Sequence, residues 1–211
     1  MIARLIVRDV RRGLSGAAWL PIAFFLLVAT LMPFAIGPDP ALLGRVGAGT
    51  LWIAALTAAL LPIERLVEPD RADGILDQLA LHGCVEESVA AAKMIAHWLT
   101  FAPLLLAAAV PASALLGMDG ATLARTELAL AIGTPGLAGL TVAVAAVTAG
   151  LPRAASLAGV LLFPLAVPLL IFGAASSGGD QGGLLLEAAV SLLLTAGAPF
   201  AAGAAIRAAR S

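Results

Sequence analysis

His82 and Cys84 stand two positions apart and would present an imidazole and a thiolate to one metal ion or heme iron. A closed site needs more ligands than that pair, and no further histidine, cysteine or carboxylate cluster stands nearby at metal-binding spacing. The other histidine, His97, lies inside an apolar run one helical turn beyond Lys93. Ionisable groups within membrane segments are functional candidates by default. A place near the membrane surface also lets His97 bond to headgroups or to Glu64, so a structural role is expected ahead of heme ligation. Gly13-Leu14-Ser15-Gly16 matches the Gly-x-Ser-Gly of rhomboid proteases. That chemistry needs a serine at mid-membrane depth with a histidine from another span, whereas Ser15 precedes the first apolar run. A Walker A phosphate loop needs Gly-x-x-x-x-Gly-Lys before Ser or Thr, and the single lysine, Lys93, follows Ala91-Ala92. The sequence therefore predicts no catalytic residue, no metal site and no ATP binding by that route, so any ATP-driven work must arrive from another chain.

The elements that carry these residues are set by composition. The chain has 211 residues, 61% hydrophobic and 12% charged, with a mean hydropathy of +1.04. Such a chain is an integral membrane protein with no room for a soluble catalytic domain. No basic stripe with interleaved aromatics points to nucleic acid. With about 20 apolar residues needed per crossing, the charge-poor intervals predict six spans at about 19–37, 46–63, 94–117, 128–150, 154–175 and 184–206. The expected fold is all-α, one transmembrane domain over 1–211, with its one large polar loop at 64–93. With the N-terminus inside, ten Lys and Arg fall inside and only Arg45 and Arg125 outside, so both termini and the loop are expected in the cytoplasm. Ahead of the first span, Ile2, Leu5, Ile6, Val10 and Leu14 recur at helical spacing among Arg4, Arg8, Arg11 and Arg12, predicting a short amphipathic helix in the interface. Gly133, Gly136, Gly139 and Gly150, and later Gly197 and Gly203, offer surfaces for close helix approach. Pro21, Pro33, Pro103, Pro111, Pro135, Pro164, Pro168 and Pro199 fall inside spans, where membrane bundles tolerate them.

The loop concentrates polarity, with seven acidic and two basic residues between Glu64 and Glu87. Asp70, followed by Asp73, reads as an N-cap with an acidic first turn. Ile75, Leu76 and Leu79 then share one helical face, which predicts an amphipathic helix parallel to the membrane and closed near Gly83. An uncovered apolar face needs lipid or a protein partner. Acidic surroundings disfavour anionic headgroups, so a protein partner is expected there.

Several segments resemble the CcmB family, the heme exporter B proteins of cytochrome c maturation. They are Gly37–Pro40 (GPDP), Trp52–Leu56, Glu64–Leu66, Asp73–Leu79 (DGILDQL), Lys93–Trp98, Leu115–Met118, Gly133–Pro135, Pro168–Phe172 and Pro199–Arg207. They run in order along essentially the whole chain. One departure is Ala80–Cys84 (ALHGC), where relatives carry a proline-rich stretch. The resemblance implies a permease of the ABC exporter type with six helices behind an interfacial elbow helix, in a bacterial inner membrane. It also implies a separate cytoplasmic ATP-binding subunit, a heme-binding membrane subunit and, by ABC architecture, a second copy of this chain. Heme is then expected on the partner and no cofactor on this chain. Glu64, Arg65, Asp70, Asp73, Gly74, Leu76, Gln78 and Leu79 would engage or position the ATPase, with His97 as a polar membrane residue. Two rivals share the architecture: a permease for another cargo such as a lipid or drug, and a membrane scaffold for heme-handling subunits that moves nothing itself.

Overall fold

Lipid offers no hydrogen bonds to the backbone, so the apolar runs fold as helices that satisfy every peptide group internally. The computed structural model describes residues 1–15 and 19–210. Among them are α1 (Ile2–Leu14), α2 (Trp19–Ile36), α3 (Pro40–Leu60), α4 (Glu68–Ala72), α5 (Ile75–Leu81), α6 (Glu86–Leu115), α7 (Gly120–Thr148), α8 (Ala154–Ser177) and α9 (Gln181–Ala208). A single 3-10 turn, Ile63–Arg65, stands between α3 and α4. Six helices are long and apolar enough to cross a membrane. Gly16 of the Gly-Leu-Ser-Gly match lies outside the described residues.

The short connections α2–α3, α6–α7 and α8–α9 gather at one end of the bundle, and α1 with the polar segment at the other. At the first end, the turn end, α3, α7 and α9 each open on an aspartate N-cap. Asp39 accepts from Ala41 N–H at 2.9 Å, Asp119 from Thr122 N–H at 2.7 Å and Asp180 from Gly182 N–H at 2.9 Å. The Thr122 amide holds the Asp119 carboxyl below the usual carboxylate range.

Helix α7 forms the centre, packed against α6, α8 and α9, while α2 lies on α3 and α6. Glycines set these separations. A Cβ on Gly136 would stand 2.9 Å from Ser191 Cα, one on Gly139 3.0 Å from Ala198 Cβ and one on Gly203 2.9 Å from Glu87 N. Trp52, fully buried, occupies the hollow between Gly133 and Gly173, where a Cβ would come within 2.3 and 2.2 Å of its ring. Two of the expected packing glycines do otherwise. Gly197 has nothing within 4 Å of its would-be Cβ, and Gly150, at φ +77°, shapes the turn after α7.

The expected N-terminal amphipathic helix is α1, and it packs on α6 with Leu5 buried. Gly13 permits the approach, since a Cβ there would sit 2.7 Å from Thr100 Cγ2. The polar segment differs from expectation in three ways. It forms two helices, α4 and α5, broken where Gly74 takes φ +69°. Asp70 lies within α4 and caps nothing, because its carboxylate is held by cations. The apolar side of α5 is already covered by this chain, with Leu76 buried and Leu79 packed against the core, so no partner is needed to hide it. The expected closure at Gly83 is present, at φ +77° with its N–H bonded to Ala80 O. Helix α6 begins at Glu86 and not near residue 94, so the last part of the 64–93 segment is the foot of a spanning helix.

Candidate functional site

Asp70 is 1% exposed, and both its oxygens are occupied. Arg8 Nη2 donates to Oδ2 at 2.5 Å, Arg12 Nη1 donates to Oδ1 at 3.0 Å, and the buried Lys93 ammonium binds Oδ2. Asp9 completes the group, accepting from Arg8 Nε at 2.8 Å and from Lys93 at 3.3 Å. One carboxylate thus joins α4 to α1 and α6. Buried charges persist only when paired with good geometry, and here each buried charge has at least two partners.

Further bonds fasten the same segment to the rest of the loop end. Glu68 accepts from Gly150 N–H at 2.7 Å and from both Arg71 Nε and Nη2, at 2.9 and 2.8 Å, binding α4 to the α7–α8 turn. Gly150 suits this turn because its φ of +77° lies in the left-handed region. Arg210, just past α9, donates to Asp77 at 2.8 Å and to Glu86 at 2.7 Å. Arg207 donates to Glu87 at 2.5 Å. The acidic first turn of α6 is thereby paired with the basic end of α9.

The residues singled out from the sequence divide into two sets. Glu64, Arg65, Asp73 and Gln78 are exposed, while Asp70 and Leu76 are buried and Gly74 and Leu79 lie between. Asp77 and Leu81 join the exposed set, and Leu81 is 86% exposed. The outward ridge is therefore polar with one prominent leucine, and the apolar residues frame it from within. In the sequence Arg8 and Arg12 stand out only as part of the basic pattern of an interfacial helix, and Asp9 does not stand out. Nothing local in the sequence joins them to a carboxylate some 60 positions later.

His82 Nδ1 donates to Gln78 O at 2.7 Å and so closes α5. Among the described residues no group of three His, Cys, Asp or Glu could hold a metal ion. His97 is 3% exposed, tilted on Phe101 with ring centroids 4.8 Å apart, and its Nε2 has no partner among the described residues. Among the described residues it forms no bond to Glu64.

A second polar cluster, at the turn-end half of the bundle, was not found in the sequence. Glu187 in α9 is fully buried; Ser176 Oγ lies 2.7 Å from its Oε2, and its Oε1 has no partner among the described residues. Trp52 Nε1 is also unpaired. Nearby, Ser191 donates to Ile132 O at 2.6 Å and accepts from Gly136 N–H at 3.2 Å, while Trp98 Nε1 donates to Thr134 at 3.1 Å. The signal was present, because Glu187 is an acid within one helical turn of the expected start of the last span.

Comparison with known proteins gives one consistent result. The CcmB protein family matches residues 1–209. Heme exporter protein B of Paracoccus denitrificans is 42% identical over 212 residues, covering 96% of this chain and 97% of the relative. The protein of the same name from Bradyrhizobium diazoefficiens is 39% identical, with 98% and 97% covered. That of Escherichia coli strain K12 is 42% identical over 193 residues, with 89% and 88% covered.

Proposed function

The chain belongs to the CcmB protein family and is a membrane component of the heme export system of cytochrome c maturation, a transporter subunit and not an enzyme; we propose that a separate cytoplasmic ATPase drives it through the 64–93 segment. The observation that carries this reading is the set of bonds radiating from that segment. Asp70 reaches α1 and α6, Glu68 reaches the α7–α8 turn, and Asp77 reaches the end of α9. A displacement applied there acts on α1, α6, the α7–α8 turn and the end of α9 at once. Glu64, Arg65, Asp73 and Gln78, with Leu81, form the face that meets the ATPase. Asp70, Gly74, Leu76 and Leu79 hold that face in position.

The lopsided basic distribution supports a loop end on the cytoplasmic side of a bacterial inner membrane, together with both termini. Ten of the chain's cations lie at that end. Heme belongs to a membrane partner. His97 is enclosed and the His82–Cys84 pair has no third ligand beside it among the described residues, which supports heme on the partner and not on this chain. A second copy of the chain completes the permease, as the ABC exporter architecture implies.

The test is co-purification from native membranes in mild detergent. Gln78→Arg and Asp73→Arg change exposed side chains that bond to nothing else among the described residues. Each is expected to lower ATPase recovery about tenfold, as loss of one contact worth about 1.4 kcal/mol would, with membrane insertion unchanged. Undiminished recovery in the double variant would end the docking assignment. Recovery of a heme-binding membrane protein with either variant is expected, since that contact lies elsewhere.

A further inference from the structure

The junction that anchors the polar segment also encloses a cavity of about 290 Å³ at the loop end. Its charged walls are Asp9 and Arg12 from α1, Arg65 from the 3-10 turn and Lys93 from α6. Asp70 lies behind them, its oxygens already taken by Arg8, Arg12 and Lys93. Four cations therefore surround two carboxylates, leaving two positive charges uncompensated. Arg65 is the outermost, and its guanidinium has no ion pair or hydrogen bond among the described residues. Arg12 is half exposed and gives only one of its nitrogens to Asp70. The remaining wall is apolar, with Pro21, Leu66 and Phe101. His97, with its unpartnered Nε2, lines the same space.

We propose that this cavity binds an anionic phospholipid, its phosphate between Arg12 and Arg65 and its first acyl carbons over Pro21 and Phe101. Three features select this class of ligand. Guanidinium groups match phosphate oxygens in bidentate geometry. Helix α1 is amphipathic and lies where headgroups lie, so the cavity opens at phosphate depth. Pockets that enclose small ligands run from about 300 to 1,000 Å³, so this one suits a headgroup and its first carbons and is too small for a tetrapyrrole. A bound phosphate would offset the excess charge and brace α1 against the 3-10 turn that leads into α4. Arg65 also belongs to the proposed docking face. This site is therefore read by lipid retention and the docking face by ATPase recovery in Gln78→Arg and Asp73→Arg, so failure of one is distinguishable from failure of the other.

Native mass spectrometry of the chain, purified with the subunits that accompany it, tests the assignment. Samples are exchanged into detergent containing phosphatidylglycerol, phosphatidylcholine or inorganic phosphate. The expected result is retention of phosphatidylglycerol over phosphatidylcholine, reduced about tenfold or more by Arg65→Gln, as loss of a charge-assisted bond implies. Arg65→Lys keeps part of the retention. Equal retention of the two lipids, or no change in Arg65→Gln, overturns the proposal. Displacement of phosphatidylglycerol by inorganic phosphate at millimolar concentration would show a free-anion site and overturn the lipid assignment. Should Arg65→Gln lower the unfolding midpoint, the comparison of lipids on the unsubstituted chain decides.

Discussion

Asp70 is the residue on which most of the loop end depends. Asp70→Asn leaves the buried Lys93 with Asp9 as its only carboxylate, and breaking a buried pair from one side costs about 3–5 kcal/mol. The expected outcome is a clearly lower unfolding midpoint in detergent. Adding Lys93→Met, which removes the stranded cation, should restore a large part of it; no restoration would mean that Asp70 acts mainly through Arg8 and Arg12. Glu187 makes a different demand. The Ser176 hydroxyl has one proton, yet both Gly173 O, at 2.9 Å, and Glu187 Oε2, at 2.7 Å, lie within its reach. A donor at position 187 satisfies both contacts, so Glu187→Gln should be nearly neutral in stability. Glu187→Asp withdraws the carboxyl and leaves Ser176 short of a partner, at a cost of about 1–3 kcal/mol; equal midpoints for the two variants would refute this arrangement. Neither residue could be assigned correctly from the sequence. Asp70 looked like a cap because a proline precedes it and an acid follows, and only the fold brings α1 against it.

At the level of elements, apolar length was enough to locate the helices, because in lipid a run of some 20 apolar residues has few alternatives to a helix. It misplaced their ends. Glu86 and Glu87 were taken to lie outside the third span, but paired with Arg207 and Arg210 they form a helical foot that projects beyond the apolar zone. Gly74 was read as part of one continuous helix, whereas its left-handed backbone divides α4 from α5. The glycine surfaces were legible as a class and not individually. Gly136→Val and Gly203→Val force apart α7–α9 and α6–α9 contacts, and each is expected to cost about 1–3 kcal/mol, the usual range for overpacking. Gly197→Ala, which meets open space, should leave the unfolding midpoint unchanged. If Gly197→Ala proved as damaging as Gly136→Val, close packing would not explain either glycine.

Over the whole molecule, the six-helix bundle and its interfacial helix were readable from charge and apolar pattern, and the order of quoted segments pointed to the family. What pattern could not supply was closure: the loop end is held by three groups of ionic bonds, around Asp70, Glu68 and Glu86, drawn from residues scattered between Arg8 and Arg210. Glu68→Gln removes the charge that holds Arg71 and weakens the bond to Gly150. It is expected to leave ATPase docking intact while lowering stimulated turnover of the assembled complex, measured as ATP hydrolysis against cytochrome c yield; loss of docking instead would place Glu68 on the contact face. Lys93 carries one more consequence. It is the chain's single lysine, and it is 3% exposed at the point where α1, α4 and α6 meet. Apart from the amino terminus, an amine-reactive reagent therefore has a single target in this polypeptide, and that target is sealed while the junction stays shut. The acylation rate of Lys93 in intact membranes becomes a native clock for opening of the junction, slow at rest and faster during nucleotide turnover if the loop end moves.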